Sequence, residues 1–136
     1  MRALVVEDDL TSRTLLQNML KPYGTIDVAV NGREAVEMFG RALREQDTYD
    51  LACVDIMMPE MDGHATLKAF RDMEGEYNLD EADAVRVIMT TSLADLENVQ
   101  QAIEKRCDSY LVKPIQKDRL LQELQNFQLI DPEPNP

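Results

Sequence analysis

The residues that build metal clusters and disulfide frameworks are scarce in this sequence. It contains no tryptophan, one histidine and two cysteines, and the cysteines, Cys53 and Cys107, are too far apart to form a Cys-x-x-Cys pair. Structural zinc sites take four cysteine or histidine ligands at short spacings, so this composition argues strongly against one. Both cysteines lie in apolar stretches, and we expect them to be reduced residues that pack in the interior.

Long apolar runs and an excess of basic residues are also missing. No stretch approaches the roughly 20 apolar residues that a membrane span needs. The N-terminal segment runs straight into Glu7, Asp8 and Asp9 and is too short and too acidic for a signal peptide. With 14 basic against 26 acidic residues, the net charge is −12, and no basic face offers a site for nucleic acid. We therefore expect a cytoplasmic protein that binds neither membranes nor nucleic acid directly.

Five short apolar runs predict strands. Four of them are nearly continuous in apolar residues, as is typical of strands covered on both faces in a parallel sheet. The second run alternates, with Asp27 between Ile26 and Val28, which is typical of a half-exposed edge strand. The runs are Ala3–Val6, Ile26–Val30, Leu51–Val54, Val85–Met89 and Tyr110–Val112.

Amphipathic stretches after each run predict five helices, whose apolar stripes we expect to pack in the core. Because strand and helix alternate five times, and because the second strand belongs at an edge, we predict a flavodoxin-like (βα)5 fold of the α/β class. Its five parallel strands are expected in the order 2-1-3-4-5, with helices on both faces of this doubly wound sheet. The stripes are Leu15, Leu16, Met19 and Leu20; Ala35, Val36, Phe39 and Leu43; Leu67, Phe70 and Met73; Leu96, Val99 and Ile103; and Leu120, Leu121, Leu124 and Phe127.

The length of 136 residues suits a single domain, which we place at residues 1–130. Residues 74–83 form an acidic connection between the third helix and the fourth strand, and we expect it to be exposed. Residues 131–136 are rich in proline and cannot be helical, so they are either a frayed end or the start of a linker. The chain is then either a complete regulator or a fragment of a longer one.

Polar residues gather where the predicted strands end. Glu7 and Asp8 follow the first strand, Asp55 the third and Lys113 the fifth, and Thr91 lies at the end of the fourth. The carboxyl ends of parallel strands meet at one edge of the sheet, where ligands bind in folds of this kind. Each signal is weak alone, because short acids commonly cap helices and Lys-Pro pairs commonly mark turns.

Together these residues make chemical sense as a site for phosphoryl transfer. Three carboxylates in one crevice repel each other, and a divalent cation removes the repulsion. Mg²⁺ suits hard oxygen ligands that leave positions for water and phosphate. The cation and Lys113 would neutralise a phosphoryl group on Asp55, and Thr91 would donate a hydrogen bond to it. The implied reaction is attack of the Asp55 carboxylate on a phosphorylated donor, which gives an acyl phosphate.

Four motifs in this order resemble those of the receiver domains of two-component response regulators, including stand-alone regulators of the chemotaxis type. Residues 5–9 resemble the acidic pair of that family, and residues 54–63 resemble its phosphoacceptor loop. Thr91-Ser92 resembles its switch hydroxyl, and residues 109–114 resemble its switch aromatic residue and lysine. The resemblance covers nearly the whole chain.

The resemblance implies roles for the site residues. Asp55 is expected to be the phosphoacceptor. Mg²⁺ is expected to bind Asp8 and Asp55 directly, Glu7 mainly through water, and the backbone carbonyl of Met57. Lys113 is expected to pair with the phosphoryl group.

The resemblance also implies how the signal leaves the site. A cis bond between Lys113 and Pro114 is expected to position the lysine. Thr91 is expected to move toward the phosphate, and Tyr110 to swing inward, which changes the surface of the fourth helix, fifth strand and fifth helix. The implied partners are a sensor histidine kinase or phosphotransfer protein and a downstream protein that the sequence does not name. It also leaves open whether phosphorylation drives formation of a homodimer.

The sequence departs from the family pattern in places. Arg106 stands where the family usually has glycine, which puts the local geometry before the fifth strand in doubt. Met57 and Leu93 are apolar at positions that flank the path of the hydrolytic water in the family, so the resemblance implies slow loss of the phosphoryl group. His64, the only histidine, is expected at the surface or boundary of the third helix.

Three other functions fit the sequence less well. A phosphatase with an aspartyl nucleophile would be an enzyme, but it typically carries a second aspartate where Met57 stands, so we expect no enzyme here. A nucleotide- or flavin-binding domain would show a glycine-rich phosphate loop after the first strand, and none is present. A receiver fold that acts without phosphorylation is disfavoured by the full set of site residues.

Overall fold

The sheet of the computed structural model confirms the predicted topology. The structure describes residues 1–58, 60–92 and 107–132. Its parallel strands are β1 (Arg2–Val6), β2 (Thr25–Ala29), β3 (Leu51–Asp55), β4 (Arg86–Thr91) and β5 (Ser109–Val112). They lie in the order β2-β1-β3-β4-β5, with the second strand at an edge as predicted.

The described helices are α1 (Leu10–Leu20), α2 (Gly32–Arg44), α3 (Gly63–Glu76) and a C-terminal helix (Lys117–Asn126), with a short 3₁₀ turn at Lys21–Tyr23. The first three begin at the carboxyl ends of strands, and a short polar side chain caps each one. Asp9 accepts a hydrogen bond from the N–H of Ser12, Asn31 from that of Glu34, and Asp62 from that of Ala65. The predicted fourth helix, with Leu96, Val99 and Ile103, lies outside the described residues.

Two apolar cores cover the two faces of the sheet, as predicted. On one face α2 and α3 pack on the sheet, and the rings of Phe39 and Phe70 stack with centroids 4.2 Å apart. On the other face α1 and the C-terminal helix cover residues that include Cys53. Because side chains alternate along a strand, consecutive residues of β1 and β3 enter opposite cores. No helix in the described ranges is both long and apolar enough to cross a lipid bilayer.

Three burial predictions were wrong. Leu15 is 43% exposed. Leu16 and Leu20 face the sheet, and the adjacent Leu15 lies on a different side of the helix, toward solvent. Glu74 was placed in an exposed connection, but α3 continues to Glu76 and the Glu74 carboxylate accepts a hydrogen bond from the Val85 N–H at 2.6 Å. His64 was expected at the surface or a boundary and is buried, because the first turn of α3 packs against the end of β3.

Candidate functional site

The ends of the two central strands bring three carboxylates together. Glu7 and Asp8 directly follow β1. Asp55 is the last residue of β3, whereas the sequence predicted that it directly follows this strand. One carboxylate oxygen from each of the three residues lies within 4.8 Å of the others. Glu7 and Asp55 are buried, whereas Asp8 is exposed. The predicted cluster is therefore present, with one side open to solvent.

Lys113 supplies positive charge to this cluster. Its Nζ lies 3.1 Å from both carboxylate oxygens of Glu7 and 3.3 Å from Oδ2 of Asp55. The backbone N–H of Lys113 donates to the carbonyl of Thr91 at 2.7 Å, and the peptide bond to Pro114 is cis, as the resemblance implies. The lysine thus reaches from the end of β5 to the ends of β3 and β1.

Burial dominates the electrostatics of the site. Desolvation, followed by the charge of Asp55, raises the pKa of Glu7 to about 7, although Lys113 opposes the rise. Desolvation also raises the pKa of Asp55 against the effect of Lys113. Burial lowers the pKa of Lys113, but the two carboxylates outweigh it and the pKa is raised. One lysine therefore does not balance the acidic groups. The donor set, three hard oxygens with one residue open to water, fits Mg²⁺.

The loop after β3 holds Asp55 from its backbone side. The N–H of Met57 donates to Oδ1 of Asp55 at 3.3 Å, and the N–H of Gly63 donates to the carbonyl of Ile56 at 2.9 Å. The side chain of Met57 is 56% exposed. Its carbonyl remains a predicted ligand, and Pro59 lies outside the described residues.

The predicted switch residues lie at the same edge, but among the described residues neither side chain forms a hydrogen bond with Asp55. Thr91 ends β4 and is buried, and its hydroxyl donates to the carbonyl of Ser92 at 3.2 Å. Tyr110 in β5 is 41% exposed. Their movements stay predictions, and both Leu93 and Arg106 lie outside the described residues.

Two further residues approach the site without having been assigned a role from the sequence. Arg13 in α1 donates from Nη1 to the backbone carbonyl of Glu7 at 3.0 Å and reaches that of Asp8 at 3.5 Å. Its position in the first turn after an acidic strand end was an available signal. Thr90 lies opposite Asp55 in the sheet, which could be found only once the register was known.

The comparisons with known proteins agree with the fold. Residues 3–125 match the family model of the response regulator receiver domain. The chain therefore belongs to the receiver domain family of two-component response regulators, as the sequence motifs predicted.

Its similarity extends to regulators of two kinds. The chain is 35% identical over 118 residues to the transcriptional regulatory protein ZraR of Escherichia coli (strain K12), which covers 86% of this chain but only 24% of that protein. It is 30% identical over 125 residues to the chemotaxis protein CheY of Bacillus subtilis (strain 168), covering 90% and 93% of the two chains. The solved structure of Vibrio cholerae CheY4 superposes with a TM-score of 0.74 at 28% identity, covering 93% of this chain and 97% of that one.

Proposed function

We propose that this receiver domain takes a phosphoryl group onto Asp55 in the presence of Mg²⁺ and acts as a signalling module rather than an enzyme. The observation that carries the proposal is the contact of 3.3 Å between Nζ of Lys113 and Oδ2 of Asp55 inside a cluster of three carboxylates. A nucleophilic carboxylate needs nearby positive charge to accept a phosphoryl group that is itself negative. Lys113 supplies part of this charge.

The proposed reaction is a single displacement at phosphorus. An oxygen of the Asp55 carboxylate attacks the phosphorus of a phosphohistidine or of acetyl phosphate. The bond from phosphorus to the donor nitrogen or oxygen breaks, and its electron pair leaves with the donor. Lys113 then pairs with the phosphoryl oxygens, and Thr91 turns its hydroxyl from the Ser92 carbonyl toward them.

Glu7, Asp8, Asp55 and the carbonyl of Met57 would hold the metal ion. When bound, Mg²⁺ supplies charge neutralisation for the incoming phosphoryl group. The pKa of Glu7 is raised first by burial and then by the charge of Asp55, and a cation at this position would offset both effects, which supports this assignment. The exposed Asp8 offers a carboxylate that a cation can reach from solvent.

The signal would leave through Tyr110. Its side chain is 41% exposed, so an inward movement would change the surface of β5. The donor would be a sensor histidine kinase or a phosphotransfer protein in the cytoplasm, consistent with membership of a two-component family. The output would be contact with a downstream protein or with a second copy of this chain, and not direct binding to nucleic acid.

The test is the intact mass of the protein after incubation with acetyl phosphate, with and without Mg²⁺. Wild type is expected to gain one phosphoryl group only when Mg²⁺ is present. Asp55→Asn removes the nucleophile with little change in shape and is expected to gain none. Asp9→Asn is the matched control, because Asp9 caps α1 from an exposed position and should leave phosphorylation intact.

Wild-type protein that stays folded and gains no mass would contradict the proposal for acetyl phosphate as the donor. A parallel incubation with a phosphorylated phosphotransfer domain then separates its two parts. Gain from that donor alone would restrict phosphorylation to protein donors. No gain from either donor would point to a receiver fold that signals without phosphate.

A further inference from the structure

The side chain of Thr90 has no role in the proposed function, yet it lies beside the phosphoacceptor. β3 and β4 are paired so that Asp55 lies opposite Thr90, and β4 and β5 so that Thr90 lies opposite Leu111. Side chains that are directly opposite in a sheet point to the same face and have Cβ atoms about 5 Å apart. Thr90 is therefore the immediate neighbour of Asp55 on the sheet surface.

Alternation along the strands identifies that face. Cys53 and Ile88, which are two residues before Asp55 and Thr90 respectively, both belong to the core under α1 and the C-terminal helix. Because every second residue of a strand points the same way, Asp55 and Thr90 lie on this face. Lys113 follows β5 but reaches Asp55 at the end of β3, so its side chain crosses the end of β4, where Thr90 lies.

The Thr90 hydroxyl is buried and has no partner within the part of the chain that the structure describes. The residue is 1% exposed, and no described group forms a hydrogen bond with its Oγ1. Its neighbour Thr91 is buried to the same degree, but its hydroxyl donates to a carbonyl. A buried hydroxyl without a partner is unfavourable, and valine would fill the same space without that cost. The position therefore keeps a polar group that folding alone does not need.

We propose that Thr90 is a second hydroxyl of this site, and that it donates a hydrogen bond to the Asp55 side chain once Asp55 is phosphorylated. The proposal rests on the proposed function. In the structure, the Asp55 oxygens receive the N–H of Met57 and the ammonium of Lys113. The phosphoryl oxygens attract Lys113 away, so the remaining Asp55 oxygen loses a donor. Thr90 is the adjacent group with an unused donor.

This hydrogen bond changes the rate at which the phosphoryl group is lost by hydrolysis. In hydrolysis, water attacks phosphorus, the bond from phosphorus to the Asp55 oxygen breaks, and the electron pair stays on Asp55, while the water oxygen and its protons leave as inorganic phosphate. Negative charge thus develops on the Asp55 carboxyl group. Hydrogen bonds to a charged acceptor are stronger than bonds to a neutral one. Thr90 therefore stabilises the transition state more than the acyl phosphate and accelerates hydrolysis.

The experiment compares wild type with Thr90→Val and Thr90→Ser. Each protein is phosphorylated with acetyl phosphate and Mg²⁺, the donor is removed by desalting, and the phosphorylated fraction is followed by intact mass. Valine keeps the shape and removes the hydroxyl, whereas serine keeps the hydroxyl. Thr90→Val is expected to lose its phosphoryl group about 3- to 10-fold more slowly than wild type, as the loss of one hydrogen bond to a developing charge implies. Thr90→Ser is expected to decay at close to the wild-type rate.

A second measurement separates chemistry from folding. Thermal unfolding of unphosphorylated Thr90→Val is expected at or above the wild-type midpoint, because an unpartnered hydroxyl is removed. Equal or faster loss of the phosphoryl group in Thr90→Val would overturn the inference, and so would slow loss in Thr90→Ser. Wild type that accepts no phosphoryl group from either acetyl phosphate or a phosphorylated phosphotransfer domain would overturn the proposed function and this inference together. Phosphorylated variants with unchanged lifetimes would overturn this inference alone.

Discussion

The two ends of the sheet carry opposite arrangements of charge. At the carboxyl end, the carboxylates of Glu7, Asp8 and Asp55 lie close together, and the ammonium of Lys113 pairs with those of Glu7 and Asp55. At the amino end of β4 and β5, two arginines meet two carboxylates in a network of Arg71, Glu74, Arg86 and Asp108. We call this second group the amino-end network. One end is short of positive charge and the other is balanced.

The amino-end network satisfies its charges within the protein. Arg71 pairs with Glu74 at 2.8 Å and with Asp108 at 3.1 Å, and it also donates to the carbonyl of Val85. Asp108 accepts a hydrogen bond from the N–H of Val87. These bonds join α3, the start of β4 and the residue before β5. Balanced charges with backbone partners stabilise the fold, whereas the unbalanced charge at the carboxyl end is consistent with the proposed binding of a cation and a phosphoryl group there.

The largest change in the free energy of unfolding is expected when one charge of the amino-end network is removed. Arg71→Met removes the cation shared by Glu74 and Asp108. The Glu74 side chain is only 6% exposed, so its carboxylate would be left buried without this partner. Breaking a buried pair by removing one partner typically costs about 3–5 kcal/mol. We expect a fall of this size in the free energy of unfolding, measured by urea denaturation. Once folded, the variant should still be phosphorylated on Asp55, because the network lies at the far end of the sheet.

Lys68→Met is the control for this prediction. Lys68 pairs with Asp72 at 2.8 Å on the same helix, but the two side chains are 68% and 57% exposed. Exposed pairs contribute about 0–1 kcal/mol, so the change should be small. Equal effects of the two substitutions would show that the amino-end network is no more important to stability than a surface pair.

The reverse result is expected at the carboxyl end, where removing a charge should stabilise the protein without Mg²⁺. The pKa of Glu7 is raised from 4.5 to about 7, so between these pH values the folded protein binds more protons there than the unfolded chain. The contribution of Glu7 to stability therefore falls as pH rises through this window. Glu7→Gln cannot titrate and should become more stable than wild type with rising pH, by at most about 3 kcal/mol at 1.36 kcal/mol per pKa unit.

Denaturation at several pH values, with and without Mg²⁺, checks this prediction. Mg²⁺ should reduce the advantage of the glutamine variant, because a bound cation offsets the repulsion between Glu7 and Asp55. Glu37→Gln removes the same charge from an exposed position of α2 and controls for net charge. A difference between Glu7→Gln and wild type that does not grow with pH would contradict the electrostatic account of the site.

The sequence predicted the two ends unequally well. The rule that carboxyl ends of parallel strands converge was sufficient to assemble Glu7, Asp55 and Lys113 from three separate motifs. No comparable rule joins Arg71 to Asp108, which are far apart in sequence and meet only through the packing of α3 against β4. The partner of a charged residue in a long acidic connection depends on tertiary packing, so the burial of Glu74 could not be predicted.

Within the site, the unknown register of the strands limited the prediction in a similar way. The strands and their order followed from apolar periodicity and from the alternation of strand and helix. Which of Thr90 and Thr91 faces Asp55 depends on a shift of one residue, which moves a side chain to the other face of the sheet. Strand ends cannot be predicted that closely from an apolar run, so the residue next to Asp55 on the sheet surface became visible only in the structure.

Two glycines lie at opposite ends of α3, Gly63 near the carboxyl end of the sheet and Gly75 near the amino-end network. A Cβ at Gly63 would lie 2.5 Å from the carbonyl oxygen of Asp55 and 2.7 Å from Cα of Ile56. Since both contacts are with backbone atoms, the loop that positions Asp55 would have to move. Gly63→Ala is expected to lower the free energy of unfolding by about 1–3 kcal/mol, as overpacking typically does, and to slow phosphorylation by acetyl phosphate. Unchanged rates and stability would show that this loop tolerates displacement.

The smallest change in the free energy of unfolding, an increase, is expected from a substitution at the other end of the same helix. Within the described ranges, no atom lies within 4 Å of a Cβ placed on Gly75, and its φ is not positive, so alanine fits the native backbone without strain. Gly75→Ala restricts the unfolded chain and should raise the free energy of unfolding by about 0.5–1 kcal/mol. Phosphorylation kinetics should not change, because Gly75 lies beside the amino-end network. Urea denaturation and the rate of mass gain test both parts. Altered phosphorylation in this variant would mean that the two ends of the sheet are coupled through α3, and the separation between a balanced structural end and an unbalanced reactive end would have to be given up.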